Sequence, residues 1–498
     1  MDTETYSKRW LITITIMLVT VLEVLDMTIV NVSLPNMMSS LGGNNDSITW
    51  VLTSYIVSAA IFMPLTGFLV KRFGRKRLLL INITGFLITS LLCGASLNLA
   101  EMVLFRTLQG MFGASLIPLS QFILRDTFPH EEQGKAMAIW GIGIMAGPIL
   151  GPTLGGYITE MLNWRWIFYI NIPACLISWF LTLKLIKETP TEKFYIDWLG
   201  MFLLGLGIGS FQLFLDRGNT EDWFESATIT LFAITSVISL FYFIIRGWNK
   251  TNHIINLHLF KDRNFANACL MLLLYGIAVF STISLNPMML EKLLNYPTLD
   301  SGLAMAPRGI ASAFAMLLVS KLINKIEPRK IIFIGLLFCT FGTYLMTQFN
   351  TLMNPQVFTT AAIIQGFGMG FFFVPLSIIA LSSLPKQSTA EASGLFSFSR
   401  SIGSSIGISI MSIIVTRKTQ MNWNYLGSFL NPFRQQFHLW LAQHQFTIDN
   451  PLSIAYLKQT LQQQAYMLGF INAYTATIGI YLILFPLLLV FKPSKKTK

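Results

Sequence analysis

The chain has 498 residues, 53% of them hydrophobic and only 12% charged, with a formal net charge of +12. Soluble domains carry about 25% charged residues, so a string of soluble domains is excluded. Apolar stretches of roughly twenty residues, each able to cross a hydrocarbon core about 30 Å thick, recur from Trp10 to Phe491.

The first span, 10–34, follows Lys8 and Arg9. It is too long for a signal peptide, carries two acids and lacks a small-residue cleavage site, so it is expected to be retained. Those acids, Glu23 and Asp26, are the only ones deep within any span, and at three residues apart they share a helix face. Charges at membrane depth are costly, which makes each a functional candidate. Spans at 49–70 and 77–98 follow, joined by the string from Gly67 to Lys76. Gly67 allows close helix approach and Gly74 a tight turn, while Arg72 and Arg75 can clamp an acid. Asp126, at the end of the fourth span (102–126), is the expected partner.

Arg106 enters that fourth span from the opposite side, at a depth comparable with Asp26. A carboxylate whose guanidinium neighbour can be displaced changes its affinity for a proton, as a proton-coupled carrier requires; a static structural pair is the alternative. Glu23 has no evident partner and is the better candidate for contact with a cationic substrate or the proton. In the fifth span, 135–158, Gly147, Gly151 and Gly155 repeat every fourth residue, a smooth stripe for a neighbouring backbone. Pro148 and Pro152 permit bending, and Gly156 completes the string. Gly141 and Gly143 mimic part of a dinucleotide fingerprint but follow no strand, so no such site is expected.

The remaining spans lie at 165–186, 198–215, 226–246, 265–289, 302–323, 330–348, 357–382, 393–415 and 466–491, fourteen in all. Arg308 and Arg400 are deep charges of the second half, with no deep acid beside them in sequence. They are expected to bind backbone carbonyls or face an aqueous cavity. Asn31, Gln109, Gln121, Gln365, Phe372 and Phe396 are the other candidate cavity residues. Stacking on a flat or cationic substrate is one role for such aromatics; plain packing is the other. The segment 416–465 is read as a solvated loop, with a weakly amphipathic stretch at 454–464; its aromatics, Trp423 to Phe446, also suit a docking surface.

In this layout 25 of the 35 Lys and Arg residues fall on one face, seven on the other and three inside spans. That bias places the basic loops and both termini in the cytoplasm and removes the case for nucleic acid. Gln109-Gly110 followed by Pro118-Leu119-Ser120 is echoed by Gln365-Gly366 followed by Pro375-Leu376-Ser377. The basic loop from Gly67 is echoed from Ser320 through Lys325 to Arg329-Lys330. Two six-span units are therefore expected, 1–190 and 264–498, with a two-span insert at 191–263.

Other classes find little support. Gly134-Lys135 lacks the upstream glycine of a phosphate-cradling loop, which argues against an ATP-driven pump. His130, His253, His258, His438 and His444 are scattered, as are Cys93, Cys175, Cys269 and Cys339, so no metal site or disulfide is expected. A polytopic membrane enzyme would leave the repeat unexplained.

The string from Gly67 to Lys76 resembles the major facilitator loop signature, and Gly147 to Gly156 the antiporter signature of its drug-exporting branches. Leu25 to Pro35 is similar to the first-helix motif of the fourteen-helix drug:proton antiporters. Trp164 to Pro173 and Leu215 to Gly218 resemble the EmrB-like group within them. The sequence departs from the pattern at Lys71, where the loop signature usually has an acid, and at Ser320 and Asn324 in the echo, which implies a looser gate there. The resemblance implies an all-α polytopic membrane protein of the major facilitator fold, two six-helix bundles plus two inserted helices. It implies a transporter rather than an enzyme, without a cofactor, driven by the proton gradient. The function implied is export of lipophilic cationic or amphipathic drugs across a bacterial inner membrane. Its implied partners are a periplasmic membrane-fusion adaptor and a TolC-type outer-membrane channel. Dedicated export of one metabolite, such as a siderophore or a fatty acid, is the alternative.

Overall fold

In lipid every backbone polar group must be satisfied within the chain, which leaves helices as the means for these apolar runs to cross. The computed structural model describes residues 8–192, 197–249, 254–431, 433–443 and 450–492, and among them the chain is helical throughout, without strands. Lys193, Lys250, Lys495, Lys496, Lys498, His253, His444 and Phe446 lie outside the described residues, as do the side chains of His130, Pro148 and Lys386.

The membrane helices are α1 (Arg9–Leu41), α2 (Asp46–Phe73), α3 (Arg75–Ala95), α4 (Leu99–Thr127), α5 (Gln133–Met161), α6 (Trp166–Leu185) and α7 (Trp198–Arg217). They continue with α8 (Ala227–Trp248), α9 (Arg263–Lys292), α10 (Leu299–Leu322), α11 (Pro328–Met346), α12 (Pro355–Ser382), α13 (Thr389–Gly427) and α14 (Pro451–Val490). Thirteen pass individually as membrane spans; α5 makes fourteen when its two arms, bent by 40° across residues 148–149, count as one. The bend falls where Pro148 cannot donate to the helical ladder. Met63–Leu65 forms a tighter turn within α2, with Pro64 inside it.

α1 to α6 pack on one another, with α1 lying along α5 and α6, α2 against α4, and α3 against α4 and α6. α9 to α14 do likewise: α9 packs on α13 and α14, and α12 on α10 and α11. α7 and α8 form a pair outside these groups, and α7 touches both α2 and α13. α5 and α10 join the two groups along their length.

The expected solvated loop at 416–465 is mostly helix. At about 1.5 Å per residue, the 39 residues of Thr389–Gly427 and the 37 of Pro451–Leu487 run far beyond a bilayer core. Both project from the face opposite the basic loops. The projection is built as a helical pair: Trp440, on the short helix Gln435–Gln443, stacks on Tyr456, and Gly427 lies against Leu461. Hydropathy ends where the helices leave the membrane, whereas the hydrogen-bond ladder continues.

Candidate functional site

α1 holds its two acids in different surroundings. Asp26, with no solvent exposure, accepts from Arg106 Nη1 at 2.6 Å, from Gln109 Nε2 at 3.2 Å and from Asn171 Nδ2 at 3.0 Å. Ser90 Oγ closes the cage by accepting from Gln109 and Asn171, and Arg106 also donates to Gln109 Oε1 and the Val51 carbonyl. The guanidinium lies over the Tyr55 ring at 4.2 Å. Four helices thus converge on one carboxylate, whose two oxygens meet three donors. Such bonds to a charged acceptor are the strong ones.

Glu23 is equally buried, yet neither carboxyl oxygen has a hydrogen-bond partner among the described residues. The charges near enough to act on it are Arg400, on α13, and Asp26. A buried carboxyl without donors is costly as an anion unless a cation or a proton joins it.

α5 explains how α1 is held. An added Cβ at Gly147 would strike Val24, at Gly151 it would strike Thr28, and at Gly155 Ile29. The glycine stripe therefore lies flat on the helix that carries both acids, and Thr28 Oγ1 donates to the Gly147 carbonyl at 3.0 Å. Gly156 faces looser space, with Val32 at 3.8 Å; Pro152 is partly buried.

At the basic-loop face, Arg75 is paired with Asp126, as the spacing predicts, and Gly74 takes φ +83°, the left-handed region suited to glycine. Gly67 lets the backbone of Glu391 come close, while Lys71 Nζ pairs with Glu391 Oε1 at 2.5 Å. Arg125 donates to the Leu381 carbonyl, and Asn324 to that of Glu131 at 3.1 Å. The echo at Ser320–Lys330 thus makes a tie across the halves in place of the expected looser gate. Together these bonds join α1–α6 to α9–α14 at this face. Arg72, the other basic residue of the string, also has an interaction of its own.

Between the two groups lie two adjoining clefts that share Met145 and Met369. One, narrow, is lined by Arg308 together with Ile283, Met305, Gly309 and Ser312. The other, equally narrow, is lined by Arg400, Tyr275, Phe280 and Phe373 among others. Both arginines thus border clefts. Arg308 bonds to side chains, Thr282 and Met369, rather than to backbone carbonyls. Other expected wall residues are placed differently. Gln109 belongs to the Asp26 cage, and Gln365 is fully buried, donating to Thr343. Gln121 is buried without a hydrogen-bond partner among the described residues, and Asn31 is exposed. Phe372 is stacked on Tyr275 with centroids 3.7 Å apart, and Phe396 is core. Bulky aromatics on a helix that crosses a bundle have a buried face and a cleft face, and sequence alone does not assign them; Phe373, the neighbour of Phe372, is the one that reaches the cleft and stacks on Trp140.

Asn171, Ser90, Tyr55 and Glu391 were missed. Asn171 and Ser90 are small polar residues inside apolar spans, a signal too common to stand out, and Glu391 looked like an ordinary loop acid.

The model of the Major Facilitator Superfamily matches residues 16–408. The chain is 35% identical to the fatty acid resistance protein FarB of Neisseria gonorrhoeae over 97% of this chain and 96% of that one. It is 34% identical to the multidrug export protein EmrB of Escherichia coli (strain K12), over 97% and 95% respectively. Among solved structures, it resembles the human organic anion transporter MFSD10, with TM-score 0.64, 14% identity, and 96% and 99% of the chains covered. The proton:xylose symporter XylE matches with TM-score 0.60, 14% identity, and 94% and 95% coverage.

Proposed function

Since the chain belongs to the major facilitator superfamily, and is a multi-pass membrane transporter of its fold, we propose that it exports lipophilic cationic or amphipathic compounds in exchange for protons by alternating access. The observation that carries this reading is the unlike pair of acids on α1. Asp26 is held by three donors including Arg106, whereas Glu23 is buried without a donor among the described residues and feels the charge of Arg400. Cargo and proton can compete for the unpartnered carboxyl, and Asp26 can couple that competition to the Arg106 cage. The ties at Lys71–Glu391 and Arg125–Leu381 close the basic-loop face, one of the two gates that alternating access requires.

On this reading that face is cytoplasmic, the membrane is a bacterial inner membrane, and the working units are 1–190, 191–263 and 264–498. The projecting ends of α13 and α14 meet a periplasmic membrane-fusion adaptor that leads to a TolC-type channel. The relatives named for multidrug export support the cargo class. The relative named for fatty acid resistance supports a second reading, dedicated export of one amphipathic metabolite.

Everted vesicles carrying the protein test the proposal. A pH gradient, acid inside, should drive uptake of a lipophilic cation, and Glu23→Gln should reduce that uptake more than uptake of a neutral analogue, because a buried carboxyl chiefly offsets the desolvation of an opposite charge. Uptake indifferent to the gradient would reject exchange, and equal losses for both compounds would deny Glu23 its part in recognition.

A further inference from the structure

At the basic-loop face, three helices of the first half meet around a cationic cavity. It has a volume of about 290 Å³ and is lined by Lys8 and Ile12 of α1, by Lys76 of α3, and by residues 184–188 at the end of α6, among them Lys184, Lys187 and Glu188. Hydrogen bonds fasten its rim. Glu188 accepts from the backbone N–H groups of Lys76 at 2.9 Å and Arg77 at 3.0 Å, at the start of α3. Lys76 Nζ donates to the Leu183 carbonyl at 2.7 Å, and Arg75 Nε to that of Lys187 at 2.8 Å. The stretch after α6 is thereby folded over the first turn of α3, so the cavity is preformed. Four lysines line it against one carboxylate, and backbone donors already engage that carboxylate.

Beside the cavity the surface turns apolar. On α6, Ile177 and Phe180 share a helix face with Lys184, and Leu176, Ile177, Phe180 and Leu183 are exposed. On α1, Leu11 and Ile14 are exposed within two turns of Lys8. The two helices run side by side, with Ser178 Oγ donating to the Thr15 carbonyl at 3.4 Å. In a bilayer these apolar side chains face hydrocarbon, and lysines at helix ends extend their charge to the headgroup level. Small-ligand pockets begin near about 300 Å³, so this cavity has room for a phosphate and its glycerol ester but not for acyl chains, which would lie outside on the seam. The cytoplasmic leaflet supplies anionic phospholipids, and basic pockets between membrane helices on that side suit their headgroups. A soluble phosphate would meet the same lysines and leave the apolar seam unused.

We propose that this cavity binds the phosphate of an anionic diacyl phospholipid from the cytoplasmic leaflet, with the acyl chains along the seam of α1 and α6. Exposed Lys184 and Lys187 draw the headgroup in, and Lys76, held by the Leu183 carbonyl, marks the inner wall. The bound lipid joins the start of α1, the helix that carries Glu23 and Asp26, to the adjoining ends of α3 and α6, and so stabilises the first half. Only the placing of this face in the cytoplasm is taken from the export reading; cargo and proton exchange do not enter.

The test is the melting of the purified full-length protein in neutral detergent, titrated with dioleoylphosphatidylglycerol or with dioleoylphosphatidylcholine, which has the same chains and a zwitterionic head. A ligand that binds the folded state raises Tm, and phosphatidylglycerol should do so at lower concentration than phosphatidylcholine. Lys184→Gln with Lys187→Gln should raise the half-saturating concentration of phosphatidylglycerol by about fivefold per lysine. Lys184→Arg with Lys187→Arg should keep the response, which separates lost charge from a damaged fold. Lys321→Gln with Lys330→Gln removes the same charge from exposed positions in the other half and should leave the response unchanged. An equal response to the two lipids, a phosphatidylglycerol response that survives the Gln pair, or a loss shared by the Arg pair overturns the site. Inorganic phosphate and glycerol 3-phosphate separate the sources. A Tm rise from either that matches the lipid's and is lost with the same lysines would make this a soluble-phosphate site and overturn the lipid assignment.

Discussion

Lys71 Nζ lies 2.5 Å from Glu391 Oε1, so the last turn of α2 is bolted to the first turn of α13. The pair ties the two halves at the basic-loop face, and beside it Gly67 admits the Glu391 backbone. Reversing one charge should weaken this face. Lys71→Glu is expected to raise labelling of a cysteine introduced near Leu381 by a membrane-impermeant thiol reagent applied to everted vesicles. Lys71→Glu with Glu391→Lys should restore protection. No change in labelling for the single variant would show that the other ties, Arg125 with Leu381 and Asn324 with Glu131, hold the face without it.

Asp26→Asn should collapse proton-driven transport, and the cage adds an expectation about stability. The substitution leaves Arg106 buried without its anion, which costs about 3–5 kcal/mol. A lower Tm is therefore expected. Asp26→Asn with Arg106→Gln should recover most of the Tm but none of the transport. Full gradient-driven transport by Asp26→Asn would remove Asp26 from coupling, and failure of the double variant to regain Tm would show that Gln109 and Asn171 depend on the charge itself.

Gly151→Leu should abolish transport, because even a Cβ there runs into Thr28 on α1. Gly156→Ala is the control: its nearest neighbour is Val32 at 3.8 Å, and transport should persist. Normal transport by Gly151→Leu would mean that α1 and α5 do not need close contact during the cycle.

The projecting ends of α13 and α14 carry exposed Tyr425, Leu452, Ile454 and Tyr456, and the segment between them exposed Phe429 and Phe433. Exchanging residues 425–460 for a flexible Gly/Ser linker should spare transport in vesicles. In whole cells it should abolish resistance and co-purification of the adaptor. Continued co-purification would put the docking surface on the shorter outer loops.

Much of this protein could be read from its sequence because the bilayer is a simple solvent. Apolar runs of the right length must be helices, loop charge orders them across the membrane, and a costly buried charge at Asp26 and Arg106 has to find its opposite. The glycine stripe at 147, 151 and 155 and the φ-demanding Gly74 were equally legible, since each reflects local backbone geometry. What the sequence left open were pairings between residues far apart along the chain. Nothing in the local string around Asn171, Ser90 or Glu391 tells which carboxylate or lysine each will meet, nor which face of α12 turns Phe373 to a cleft and Phe372 to Tyr275. Helix rotation and crossing decide those contacts. Among the described residues they also left Glu23 without a donor and Arg308 without an acid, because packing satisfies the sum of many contacts and not each charge in turn.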